Sequence, residues 1–116
     1  MTDNSLSIID PHFHFLNLQG GDYDWLKSTK PPFWPDKEHI NRQFTESDIA
    51  LISPLKLAGF VHIEAGYDNQ RPWREIDCLE QHCQLMFRSV AHADLTSDDF
   101  LLQIEMLCLR PSVVGI

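Results

Sequence analysis

The chain has 116 residues, with 9 Lys and Arg against 17 Asp and Glu, so its formal net charge is −8. Because 43% of the residues are hydrophobic, the chain carries enough apolar material for one packed core, which argues against intrinsic disorder. The acidic balance, without any cluster of basic residues, argues against nucleic acid and anionic membrane surfaces as partners. Composition therefore favours a single domain over residues 1–116.

The N-terminal residues lack the basic and apolar regions of a signal peptide, and no apolar run approaches the roughly 20 residues of a membrane span. We therefore expect a cytoplasmic protein. The cysteines Cys78, Cys83 and Cys108 are odd in number and have no C-x-x-C spacing. This pattern favours buried, reduced thiols over disulfides or a thiolate metal site.

The first predicted element is a strand over residues 7–15, which carries the pattern Asp10-x-His12-x-His14. Pro11 cannot donate to a strand ladder, so we expect an irregularity or a strand end there. Residues 16–44 follow as a long segment rich in Gly, Pro and aromatic residues, including Trp25. Loops of this length in a compact domain usually have a function, and we expect this one to cover a site.

Strands and helices alternate in the remaining sequence. A capping signal at Thr45 and Asp48 predicts a helix that ends near Pro54, and a second helix begins at Pro72. The other predicted elements are strands at 57–66, within 85–95 and from 113, and a third helix over 96–109. The register of the strand within 85–95, which contains His92, stays open.

The predicted order β-α-β-α-β-α-β implies right-handed crossovers and a parallel sheet. A dinucleotide-binding fold is disfavoured because no glycine-rich phosphate loop follows the first strand. A (β/α)₈ barrel fits the spacing but needs about 250 residues. We therefore predict an α/β fold that is the N-terminal half of such a barrel, with about four parallel strands and three helices, truncated after the start of the fourth strand.

The clearest functional signal is the histidine pair. A strand has a side-chain period of two, so Asp10, His12 and His14 are predicted to share one face, with the imidazoles at the carboxyl end where barrel active sites lie. Neutral imidazole is a good ligand for zinc or manganese. The alternative is that both rings are merely exposed or hydrogen-bonded near a strand end.

Five segments of the chain resemble the amidohydrolase-2 family, whose members adopt a TIM-barrel fold. They are Ile8-Ile9-Asp10-Pro11-His12-Phe13-His14-Phe15, Tyr23-Asp24-Trp25-Leu26, Val61-His62-Ile63-Glu64-Ala65-Gly66 with Pro72-Trp73-Arg74-Glu75, Ala93-Asp94-Leu95, and Val113-Val114-Gly115-Ile116. The sequence looks most like the sugar-lactonase and dicarboxylate-lactonase subgroup, which implies hydrolysis of a lactone. The resemblance implies that His12 and His14 bind a divalent metal or, as in metal-independent relatives, polarise the substrate carbonyl.

His62 and Glu64 have the same parity on the second predicted strand, so both are expected to point into the barrel and to contact substrate or metal. The alternative is that they form a buried pair with each other. Trp25 is expected either to cover a sugar ring or to fold back onto the core. Arg74 is expected to hold a substrate carboxylate or to form a surface ion pair with Glu75, Asp77 or Asp68.

A catalytic zinc normally has three protein ligands, and hydrolysis needs a base for the water. In the family these further residues come from strands beyond the fourth, so no catalytic base is assigned and the chain alone is expected to be inactive. We expect it to form homo-oligomers or to dock on a complementary half-barrel, because a half-barrel exposes strand edges. The substrate implied is a lactone or a carboxylate-bearing sugar acid. A non-catalytic interaction module and a decarboxylase of the same superfamily remain alternatives.

Overall fold

A computed structural model describes residues 4–116. Its strands are β1 (Leu6–Phe13), β2 (Leu55–Ile63), β3 (Met86–Val90) and β4 (Val113–Gly115), and its α-helices are α1 (Trp73–His82) and α2 (Phe100–Cys108). The strands form one sheet in the order β1-β2-β3-β4, and all neighbouring pairs are parallel. The predicted parallel α/β sheet is therefore confirmed.

Helix α1 covers one face of the central strands through an aromatic layer. Phe60 of β2 and Phe87 of β3 stack with ring centroids 5.5 Å apart, and Phe13 of β1 meets Phe60 edge to face at 5.3 Å. Leu79 of α1 is completely buried in the same cluster. Large apolar rings at successive strand positions thus fix which face of the sheet α1 covers.

Helix α2 packs on the same side of the sheet as α1. Ile76 of α1, Leu107 of α2 and Ala91 form a second buried cluster, against which Val113 of β4 is packed. The guanidinium of Arg110, just after α2, also donates two hydrogen bonds of 2.9 Å to the carboxylate of Asp77 on α1. Since strand order follows chain order and the crossovers have one hand, both helices lie on one face.

The opposite face of the sheet is not covered by any of the described residues. Met86 precedes the inward-packed Phe87, and Val114 follows the inward-packed Val113, so both point away from the helices. Their side chains are 60% and 62% exposed.

The predicted helix after Thr45 is wrong, and the described part of the chain contains two α-helices rather than three. The capping box is present, since Thr45 and Asp48 make the reciprocal contacts, but only a 3₁₀ turn over Glu46–Asp48 follows. Ile52, in the segment of the predicted helix, is 82% exposed. Without a buried apolar stripe, a cap alone does not sustain an isolated helix.

Strand β1 continues through Pro11, but its pairing with β2 is irregular there. The register shifts between Asp10 and Phe13, so the ladder is interrupted where proline has no N–H to donate. The irregularity expected from the sequence is therefore confirmed, and it includes His12, the first histidine of the pair.

The loop between β1 and β2 is held by one buried ammonium. Lys37 is only 5% exposed, and its Nζ donates to the carbonyl oxygens of Lys27, Lys30 and Pro32 at 2.6–2.9 Å. Nothing in the sequence analysis indicated this role, because a lysine in a polar loop has the same local pattern whether it is buried or solvated.

The three cysteines differ in their burial. Cys78 is buried as expected, Cys83 is half-buried, and Cys108 is exposed, contrary to expectation. Burial raises the pKa of the Cys83 thiol to about 12.

None of the helices formed by residues 4–116 is both long and apolar enough to cross a membrane.

Candidate functional site

A cleft of about 650 Å³ lies at the carboxyl ends of the strands. It is lined by residues at or after the ends of β1, β2 and β3, together with side chains of the long loop: His12, Phe13, His14, Leu16, Trp25, Ile40, Phe44, Glu64, Ala65, Gly66, Asn69 and His92. This is the edge of a parallel sheet at which ligands bind in open α/β folds and in barrels.

The structure brings His12 and His14 together at this edge. Their Nε2 atoms lie 3.1 Å apart, which is a hydrogen bond between the rings, and the rings meet nearly edge to face, with centroids 4.9 Å apart. The hydrogen-bonded arrangement considered as the alternative is therefore present. Two nitrogen ligands of a tetrahedral zinc, each about 2.0–2.1 Å from the ion, are separated by about 3.3 Å. The observed spacing is close to that value, so the residue types and their separation fit a divalent cation.

The ring of His14 is oriented by the neighbouring strand. Its Nδ1 lies 2.9 Å from the carbonyl oxygen of Ile63, the last residue of β2. A carbonyl oxygen can only accept, so Nδ1 carries the hydrogen and, in the neutral ring, Nε2 keeps its lone pair. This second hydrogen bond is the usual way in which proteins orient a metal-binding imidazole.

Asp10 does not orient either ring. Its Oδ1 accepts a hydrogen bond of 3.0 Å from the backbone N–H of His12. The aspartate therefore stabilises the irregular end of β1, while the carbonyl of Ile63 orients the imidazole of His14.

Glu64 and His92 line the same cleft from the next two strand ends. Glu64 directly follows β2, and its Oε2 accepts a hydrogen bond of 3.1 Å from the N–H of Gly66. His92 lies two residues after the end of β3, which settles the register that the sequence left open. Within residues 4–116, no group of three or more His, Cys, Asp or Glu side chains is placed to hold a metal ion.

Trp25 forms one wall of the cleft. Its indole Nε1 donates a hydrogen bond of 2.6 Å to the carbonyl oxygen of Ala65. Gly66 follows with a φ of 81°, and a Cβ there would lie 3.0 Å from Cδ1 of Trp25. The left-handed glycine thus lets the indole approach the backbone after β2 closely. By contrast, Phe33 of the same loop is 69% exposed.

His62 does not line the cleft with Glu64, so the predicted shared direction is wrong. His62 is completely buried on the helix side of the sheet, where its Nδ1 accepts a hydrogen bond of 3.3 Å from the N–H of Phe15. Its Nε2 lies 3.4 Å from Oε2 of Glu75 on α1. Strand alternation does not extend to Glu64, because β2 ends at Ile63.

Glu75 is the buried carboxylate that the sequence analysis missed. It is 2% exposed, and its Oε2 also accepts a hydrogen bond of 2.9 Å from the N–H of Ala65. An acidic residue in the first turn of a helix is usually interpreted as a surface residue that interacts with the helix dipole. The sequence analysis considered a buried pair of His62 with Glu64 on the same strand, whereas the carboxylate beside His62 is that of Glu75 on α1.

Arg74 also lies outside the cleft. Its Nη1 donates a hydrogen bond of 2.8 Å to Oδ2 of Asp68, and its guanidinium lies 5.6 Å from the centroid of the Tyr67 ring. Burial opposes ionisation of Asp68, but hydrogen bonds from Arg74 and from the backbone N–H groups of Arg71 and Gln70 outweigh it, so the pKa of Asp68 is lowered. The ion pair considered as the alternative for Arg74 is therefore present.

Comparison with known proteins gives a similarity over part of the chain but shows no family. The chain is similar to the "Uncharacterized protein y4mH" of Sinorhizobium fredii (strain NBRC 101917 / NGR234), with 33% identity over 79 residues, which is 66% of this chain and 27% of that protein. The chain therefore matches about a quarter of the length of this relative. No family model matches the sequence. No solved structure matches it either.

Proposed function

We propose that this chain forms the first half of a (β/α)₈ barrel of the amidohydrolase-2 type and contributes the metal pair of a lactone hydrolase. His12 and His14 hold zinc or manganese in this proposal. The observation that carries it is the paired Nε2 geometry of 3.1 Å, with His14 anchored through Nδ1 to the carbonyl of Ile63.

The sheet topology supports the barrel half of the proposal. In a doubly wound sheet the strand order reverses and helices cover both faces. Here the four strands run in sequential order, and both helices cover the same face. A sheet wound in one direction with helices outside is the repeating unit of a barrel, and its uncovered face corresponds to the barrel interior.

The side chains that line the cleft support an uncharged ester as the substrate. A divalent cation held by His12 and His14 would supply Lewis-acid polarisation of the ester carbonyl. Among the described residues, the cleft lining contains no Lys or Arg, and its one carboxylate belongs to Glu64. A lactone is neutral and presents an apolar ring face, which Trp25 is placed to contact. This favours the lactone over the carboxylate-bearing sugar acid.

His12 and His14 supply only two of the three protein ligands that a catalytic zinc normally has. No third ligand is grouped with them among the described residues, so the remaining ligands and the water-activating base come from elsewhere in this proposal. We propose that they come from a complementary half-barrel, which also covers the exposed face that carries Val114. Without that half, the described residues bind the metal and contact the substrate but do not complete the hydrolysis.

The proposal is tested by titrating the purified chain with Co²⁺ and recording the visible absorption of the bound ion. We expect His14→Ala and His12→Ala each to weaken binding at least 10-fold, because each removes half of the ligand pair. His39→Ala is the matched control, since His39 is an exposed loop histidine beside Asp36. Binding that is equally strong in all three variants would contradict the metal site.

The substrate class is tested separately by NMR, following the indole N–H signal of Trp25. We expect a neutral lactone to shift this signal in a saturable way, and its ring-opened carboxylate to shift it less, because the carboxylate meets Glu64. A stronger response to the carboxylate would overturn the lactone assignment while leaving the metal site intact.

A further inference from the structure

We propose that His62 and Glu75 act as buried positioning residues that hold the end of β1 and the segment after β2 in the arrangement the cleft requires. The inference rests on the proposed metal pair for its functional meaning. Neither side chain enters the cleft, and both are among the most completely buried polar groups of the described chain.

The pair connects three separate parts of the fold. His62 lies on β2, and its Nδ1 accepts from the N–H of Phe15, which follows β1. Glu75 lies in the first turn of α1, and its Oε2 accepts from the N–H of Ala65, which follows β2. The two side chains meet with Nε2 and Oε2 3.4 Å apart. A chain of polar contacts therefore runs from α1 to both segments that form the cleft: two hydrogen bonds to backbone N–H groups, joined by the 3.4 Å contact between His62 and Glu75.

Each end of this connection is one residue away from a cleft side chain. Phe15 directly follows His14, and Ala65 directly follows Glu64. The carbonyl oxygen of Ala65 also accepts the hydrogen bond from Trp25. A change in the His62 and Glu75 contact therefore reaches the metal pair through one segment and the aromatic wall through the other.

Stability alone does not explain why polar groups occupy these positions. Replacing a buried polar pair by well-packed apolar residues is often neutral or stabilising. His62 and Glu75, by contrast, each accept a hydrogen bond from a backbone N–H and so fix the position of the segment that carries it. Nε2 of His62 has no well-formed hydrogen bond despite its complete burial. In this proposal, the hydrogen bond from Phe15 to His62 holds the segment that carries His14, whose ring in turn contacts the carbonyl of Ile63.

The test compares Glu75→Gln and His62→Gln with Ile76→Val in the full chain. Glutamine has nearly the same volume as either side chain, and its amide oxygen can accept the backbone N–H that Oε2 of Glu75 or Nδ1 of His62 accepts, which favours retention of the fold. Ile76 is adjacent to Glu75 on α1 and completely buried, but it packs in the other apolar cluster, so its variant reports a general core defect. The two measurements are the Co²⁺ affinity and the ¹⁵N–¹H amide spectrum of the metal-free protein.

We expect both glutamine variants to weaken Co²⁺ binding about 10-fold or more, the range usual for residues that orient a metal ligand. In the metal-free spectrum, Glu75→Gln should shift the amide signal of Phe15 as well as that of Ala65, while Ile76→Val leaves both nearly unchanged. The signal of Phe15 is the informative one, because the polar contacts that link Glu75 to the N–H of Phe15 run through His62.

Two results would overturn the inference. One is a folded Glu75→Gln variant in which the Phe15 signal stays in place, and the other is unchanged Co²⁺ affinity in both glutamine variants when His14→Ala abolishes it. If the unmodified chain binds no Co²⁺, the proposed metal function fails instead, and the amide shifts alone decide whether the two segments are coupled.

Discussion

Nε2 of His62 lies 3.4 Å from Oε2 of Glu75, with 0% and 3% of the two side chains exposed to solvent. This contact joins the second strand to the first turn of α1 beneath the cleft. Both residues also accept hydrogen bonds from backbone N–H groups at the ends of strands. The local structure of the cleft and the stability of the fold therefore depend on the same pair.

Glu75→Ala should lower the free energy of unfolding by about 2–3 kcal/mol, because it leaves the N–H of Ala65 without an acceptor in a buried environment. Glu75→Gln should cost less, since an amide oxygen can still accept from that N–H. Urea unfolding followed by circular dichroism measures both. Equal losses in the two variants would mean that the acceptor to Ala65 contributes little.

The lowered pKa of Asp68 predicts an acid-dependent loss of stability. A carboxyl whose pKa is lower in the folded state than in the unfolded state stabilises the fold above its usual value of about 3.9, and this contribution disappears as pH falls through the folded-state pKa. Asp68→Asn should therefore cost about 1–2 kcal/mol at pH 7. The difference from the unmodified protein should shrink as the pH is lowered below about 4.

Unfolding curves at several pH values give this difference, and Asp98→Asn, at an exposed aspartate, is the control. A stability loss in Asp68→Asn that is the same at every pH would show that the effect comes from packing and not from the ionised carboxylate. Arg74→Gln should reproduce part of the loss at pH 7, because Arg74 donates one of the hydrogen bonds to Asp68.

Gly66→Ala should displace Trp25 and cost about 1–2 kcal/mol, since the residue has a φ of 81° and the new Cβ would lie 3.1 Å from Nε1 of the indole. The indole N–H signal in the NMR spectrum reports the broken bond to Ala65. Gly115→Ala is the matched control, because a Cβ there meets nothing within 4 Å. An unchanged indole signal in Gly66→Ala would contradict the close approach.

The uncovered face of the sheet should make the chain self-associate at micromolar concentration. Apolar side chains such as Val114 and Met86 are exposed there, and open strand edges promote pairing. Val114→Lys should shift the population toward the monomer in sedimentation velocity. A monomer in the unmodified chain at the same concentration would contradict this expectation.

The sequence predicted the sheet well because the relevant signals are local. Each strand was marked by an apolar run and each crossover by its length, and the order of elements then fixed a parallel arrangement. The predicted helix after Thr45 does not form, because its formation depends on long-range packing that the local sequence does not show. Its cap is a local signal and is present, but whether Ile52 finds a core to pack against depends on distant parts of the chain.

The candidate site also combines local features, which the sequence predicted, with long-range contacts, which it did not. The spacing of His12 and His14 determined that the two rings lie close together, since both belong to one short segment. The sequence did not determine that the carbonyl of Ile63 orients His14, because that contact spans 49 positions along the chain. Nor did it place Arg74 against Asp68 rather than at the cleft, although that ion pair was one of the alternatives.

By itself, then, the sequence determined the four strands, the two helices that follow β2 and β3, and the pairing of two histidines at a strand end. Only the tertiary structure decided that His62 is buried against Glu75, that Glu64 turns toward the cleft, and that Lys37 holds the loop. The physical reason is that backbone periodicity acts between near neighbours, whereas burial and the choice of a polar partner depend on which segments pack together.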